Sequence, residues 1–104
     1  MSDIDTTGCH EHPDGSISID LCMPIERERE RITAIRLRRP TAAQIAQLNL
    51  ERIKSGHQDG LIEFIHAVSD LTLKEVRGLD GADFLFVTAH ALRVFLQRRA
   101  VQLA

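Results

Sequence analysis

Tryptophan and tyrosine are missing, and four phenylalanines are the only aromatic residues. A core without large rings has to be assembled from Ile, Leu, Val and Ala. Such a core is modest, so partners or self-association are expected to contribute to stability. Cysteine is scarce too. Cys9 and Cys22 cannot build a disulfide framework, and with nothing secretory around them they read as free thiols of a reducing compartment. No apolar run approaches the roughly 20 residues that span a bilayer, so no membrane helix is expected. The segment from Met1 to Ser16 is polar and acidic, unlike the basic-then-apolar pattern of a signal peptide. Charge of one sign is also lacking: 13 Lys and Arg against 15 Asp and Glu leave a formal net charge of −2. That balance argues against the basic stripe of a phosphate-backbone binder.

What is present fits one ordinary globular domain. The chain has 104 residues, enough for a single core. Hydrophobic residues at 43% and charged residues at 27% exclude a disordered composition. Residues 1–16, rich in Asp, Thr, Gly, His and Pro, show no periodicity and are expected to be a flexible tail. Residues 17–104 are expected to form the domain, with a β-hairpin over 17–39 and a helical part over 41–104. Ile17, Ile19, Leu21 and Met23 alternate with polar residues, the signature of a strand, which Pro24 is expected to close. Ile35 and Leu37 alternate with Arg36 and Arg38 in a second strand, while Ile32 falls out of phase and suggests a bulge there. Between them Glu26-Arg27-Glu28-Arg29-Glu30-Arg31 forms a charged tip.

Helical spacing then takes over. Thr41 is a good N-cap for a helix over Ala42–Ser55, stopped by Gly56. Leu61, Ile62, Ile65 and Val68 mark a second helix from Gln58 or Asp59 to Ser69. Thr72-Leu73-Lys74-Glu75 is a capping-box pattern for a short helix ending at Gly78. Asp80 caps the last helix, which is expected to run from Gly81 to Arg99 or beyond. In that helix Phe84, Val87, Ala91, Val94 and Phe95 make one apolar stripe, and Leu85, Ala89, Leu92 and Leu96 make its neighbour. The fold class expected is α+β, mostly helical: an N-terminal antiparallel β-hairpin followed by three to four α-helices.

No set of residues reads as a catalytic centre. Cys9, His10 and His12, with Cys22, contain zinc-ligand types but match no zinc spacing. His66 could pair with Glu63 by helical spacing, and His90 also lies in a helix, yet neither has a nucleophile and an orienting partner in view. Arg27, Arg29, Arg31, Arg36, Arg38 and Arg39 could meet an acidic partner, but Glu26, Glu28 and Glu30 cancel half of that field. The helices flanking Gly56 could pass for a helix-turn-helix, making a small nucleic-acid-binding regulator the alternative reading. The second of them carries Asp59 and Glu63 and no Lys or Arg, which argues against it. No catalytic residue, cofactor or metal ligand is therefore assigned. What survives is the wide apolar arc of the last helix, with Phe84, Val87, Leu92, Phe95 and Leu96 as expected partner-binding anchors and a surplus of apolar surface pointing to a homo-oligomer.

One stretch is more specific. Ile32-Thr-Ala-Ile-Arg-Leu-Arg-Arg-Pro-Thr-Ala-Ala-Gln-Ile-Ala-Gln-Leu48 resembles the signature of the tail assembly chaperones of Mu-like and P2-like phages. The resemblance extends over Ile17 to Arg99. It covers the Pro24-Ile25 turn, the Ile35-x-Leu37-Arg38-x-Pro40 strand end, and the capped last helix with Leu79, Asp83 and Phe84, closing on Phe95-Leu96. Gln44 stands where many members of that family carry an acidic residue. The resemblance implies a non-enzymatic protein that binds the tape measure protein and keeps it soluble until tail tube subunits polymerise around it. It further implies the tail tube protein and a frameshifted longer form of the same product as associates, action in the host cell cytoplasm, and absence from the mature virion.

Overall fold

The computed structural model describes residues 7–97; the beginning of the expected tail (residues 1–6) and Arg98 and Arg99 of the expected last helix lie outside the described residues. The sheet is antiparallel and has three strands in the order β1-β2-β3: β1 Cys9–Glu11, β2 Ile17–Arg27 and β3 Glu30–Leu37. It is thus one strand larger than the expected hairpin. The extra strand comes from the segment read as tail. Cys9 pairs with Ile19 and Glu11 with Ile17, and the half-buried Cys9 packs against the core. The turn joining β1 to β2 is local chemistry. His12 N donates to the Ser16 carbonyl at 2.9 Å and Gly15 N to the His12 carbonyl at 3.0 Å. Gly15 takes a φ of 90°, open to glycine at no steric cost, and the Asp14 carboxylate accepts from Ser16 N and Oγ.

Pro24 does not end β2. The register pairs Asp20 with Ala34 and then Ile25 with Ile32, so extra residues of β2 are accommodated between Asp20 and Ile25. The bulge therefore lies in β2 around Pro24, not at Ile32. A proline fits there because a bulge asks for no ladder N–H from it. Beyond the bulge Glu26 pairs with Arg31 and Arg27 with Glu30, so most of the charged run is strand and only Glu28-Arg29 make the tip. Glu28 sits at φ 48°, a left-handed conformation that costs a side-chain-bearing residue energy.

Five helices follow: α1 Ala42–Gln47, α2 Leu50–Lys54, α3 Gln58–Val68, α4 Leu73–Arg77 and α5 Gly81–Ala91. The single helix expected over Ala42–Ser55 is broken because Leu48 turns extended and Asn49 recaps, its side chain accepting from Arg52 N. Thr41 and Gln44 form a reciprocal capping box at α1. The Gln44 amide also donates from Nε2 to the Ala67 carbonyl at 2.9 Å, tying α1 to α3. A carboxylate at that position could not make the second bond, since it only accepts. Past Ala91 the last helix widens into a π-helical stretch, Leu92–Gln97.

The helices cover one face of the sheet. Ile17, Ile19, Ile35 and Leu37 supply the sheet side of the core, and Ile53, Phe64, Ile65, Val68, Val76, Val87 and Ala91 the helical side. Gly60 lets α3 cross closely over α2: a Cβ there would lie 2.9 Å from Arg52 Cβ and 3.2 Å from its backbone carbon.

Candidate partner-binding face

The last helix is fixed to the sheet at its first turn. Asp80 caps it, accepting from Ala82 N and Asp83 N. Three residues on, Asp83 is buried, and its carboxylate reaches the bulge of β2: Oδ1 accepts from Cys22 N at 3.0 Å and Oδ2 from Met23 N at 2.9 Å. These are N–H groups at the register break, so Asp83 supplies acceptors where the ladder is interrupted. The two oxygens serve two donors side by side, which sets the rotation of α5 about its own axis.

That rotation separates the two apolar stripes. Val87, Ala91, Val94 and Phe95 turn into the core. In the neighbouring stripe Leu85 is 67% exposed and Ala89 exposed, while Leu92 and Leu96 are half-buried and pack against the core. Of the five anchors expected from sequence, Val87 at 0% and Phe95 at 6% exposure are enclosed by the monomer, while Phe84, Leu92 and Leu96 sit at its boundary. The most exposed large hydrophobic residue of the helix is Leu85, a member of the neighbouring stripe and not one of those five. Together with exposed Ala82 and Ala89 it makes an uncharged outward face on α5, bordered by half-buried Leu92 and Leu96.

One flank of this face is polar but committed. His90 is buried and packs edge-on to Phe86 with ring centroids 4.4 Å apart. Arg93 Nη2 lies 2.9 Å from His90 Nδ1, and its Nη1 lies 3.6 Å from Glu11 of β1. The short β1 strand is thereby linked to the far end of the last helix.

A concavity of about 450 Å³ lies between the bulge and the α4–α5 turn, with Met23, Pro24, Ile25 and Leu79 among its walls. Met23 is 57% exposed there. Glu75 stands at its edge, where it accepts from Arg27 Nε at 2.7 Å and Nη2 at 2.6 Å and from Thr72 N at 2.9 Å. The Arg27 guanidinium and the Thr72 backbone hold the Glu75 carboxyl down at about 2, and the same contact raises Arg27 above its ordinary value.

The remaining sequence candidates are dispersed. Cys9 and His10 are neighbours on a strand and so point to opposite faces; His10 Nε2 lies 3.1 Å from Asp20 and His12 Nε2 2.6 Å from Ser18. Among the described residues no group of three or more His, Cys, Asp or Glu could hold a metal ion. His66 Nδ1 meets the Leu71 carbonyl at 2.7 Å, a partner other than Glu63. Arg27, Arg31, Arg36 and Arg38 each meet a carboxylate, from Glu75, Glu26, Asp14 and Asp70. Asp14 is held down at about 2 chiefly by its bonds from Ser16, with Arg36 adding to them. No helix of the described residues is long and apolar enough to cross a membrane.

No curated protein and no solved structure matches the chain. The sequence profile of the family described as "Phage tail assembly chaperone proteins, E, or 41 or 14" matches residues 18–95, from the second residue of β2 into the π-helical stretch. The chain therefore belongs to the phage tail assembly chaperone family.

Proposed function

We propose that this protein binds the tape measure protein through the outward face of its last helix and keeps it soluble while the tail tube polymerises. The observation that carries the reading is the uncharged exposed face of Ala82, Leu85 and Ala89, bordered by half-buried Leu92 and Leu96, on a helix whose opposite side is core. A long helical client shows apolar stripes before it is enclosed, and an apolar helix face complements such a stripe in the helix-in-groove manner. Leucine and alanine present shape without directional bonds, which tolerates many similar segments of one client. Phe84 at the boundary widens the contact; Val87 and Phe95 support it from within the core. The protein works by reversible binding, without a catalytic step, in the host cytoplasm, and does not remain in the virion.

The test is co-expression with the cognate tape measure protein. The soluble fraction of the tape measure rises with this protein present, and the two co-purify. Equal aggregation with and without it contradicts the reading.

A further inference from the structure

The last helix changes its winding where its exposed face ends. From Leu92 to Gln97 it is π-helical, with turns closed i→i+5 in place of i→i+4. Continued as α-helix at about 100° per residue, the chain would set Leu92 and Leu96 within about 20° of Leu85. Leu85 is 67% exposed, yet Leu92 and Leu96 are half-buried and pack against the core. The wider turn takes these two leucines off the line of Leu85. Val94 is 4% exposed, and α-helical spacing would keep it inward, within about 20° of Val87. A polar tie holds the π-helical stretch to the sheet. Arg93 Nη2 lies 2.9 Å from His90 Nδ1, and its Nη1 lies 3.6 Å from the Glu11 carboxylate. The tie is strained: Arg93 Nε is buried without a hydrogen-bond partner, and an unpaired buried donor is destabilising. Its far end is weak as well. Glu11 is the last residue of the three-residue β1, and its side chain is 45% exposed.

We propose that Leu92–Gln97 is a two-state element latched by the contact between Arg93 and Glu11. Latched to β1, the stretch is π-helical and its leucines are half hidden. Released, it rewinds to α-helix, and Leu92 and Leu96 join Ala82, Leu85 and Ala89 in one outward apolar stripe. A helical partner long enough to meet both leucines binds the released form more tightly than the latched one. That difference in contacts is what allows a ligand to shift such an equilibrium. Use of the longer stripe by the client rests on the preceding section; the rewinding itself does not.

The experiment uses the full chain with Cys9 and Cys22 replaced by Ser and a single reporter, L85C, L92C or V94C. It reads the rate at which iodoacetamide alkylates the reporter. Adding E11Q removes the ion pair, and L92C then reacts about fivefold faster, the shift that loss of one partly buried pair produces. R93M keeps the apolar stem but removes every donor of the latch, and it speeds L92C in the same way. L85C, exposed in both states, and V94C, enclosed in both, keep their rates. An L92C rate unchanged by both E11Q and R93M overturns the inference. So does V94C speeding up in step with L92C, because that pattern is fraying of the helix end and not rewinding. No client enters these rates, so failure of the co-expression test leaves them untouched.

Discussion

Replacing Asp83 by Asn separates the clamp on the bulge from the packing around it. The substitution keeps the size of the side chain and one acceptor. It replaces the other acceptor with an NH2 group that faces a backbone N–H, so one of the bonds now made to Cys22 N and Met23 N is lost and a donor is set against a donor. A hydrogen bond to a charged group is worth about 1.5–3 kcal/mol. Cys22 and Met23 are exposed, so water re-solvates part of the freed N–H, and the low end applies. Removal of the acidic charge from the first turn of α5 adds about 0.5 kcal/mol. The total is about 2 kcal/mol for D83N and about 3.5 kcal/mol for D83A, where both bonds go. Against the 5–15 kcal/mol of an ordinary domain, either is large. Urea unfolding followed by circular dichroism reads it directly. With an m-value of about 1.5 kcal/mol/M, the midpoint of D83N falls by about 1.3 M with the slope unchanged. A midpoint within about 0.3 M of wild type would show that the Asp83 carboxylate does not hold the bulge.

Other consequences follow from the same contacts. Glu75, held down at about 2 against an ordinary 4.5, contributes stability that is present above pH 4.5 and is lost as pH falls from there towards 2, so acid titration of E75Q is flatter than that of wild type across this window. At pH 7, E75Q unfolds more easily by about 1–2 kcal/mol in urea, through loss of the paired contact to Arg27. G60A unfolds more easily by about 1–3 kcal/mol, although alanine favours helix, because the added methyl meets the backbone of Arg52. E28G stabilises slightly, by up to about 1 kcal/mol in urea unfolding, because glycine accepts the φ of 48° at the hairpin tip without strain.

Local signals in the sequence were legible and long-range ones were not. The capping box Thr72/Glu75, the N-caps Thr41 and Asp80 and the spans of α3 and α4 are written in adjacent residues, and the structure places them as expected. The three residues of β1 are too few to show alternation, although Pro13-Asp14-Gly15 is a turn signature in its own right. Asn49 broke a helix that apolar spacing alone carried through, because its side chain recaps the chain one residue after Leu48 turns extended. Asp83 was readable as a first-turn acid, but its partners are Cys22 and Met23, some 60 residues away. The two neighbouring stripes of the last helix are equally apolar, so composition could not say which one faces the core. The Asp83 clamp decides it, sending Val87 inward and leaving Leu85 in solvent.

The central claim is that the exposed seam of α5 holds the client. Its most direct measurement is the soluble fraction of the tape measure protein co-expressed with L85D beside the wild type. The account predicts that L85D, folded and equally abundant, leaves the tape measure in the pellet while the wild type keeps it soluble. Equal rescue by L85D and wild type would contradict it.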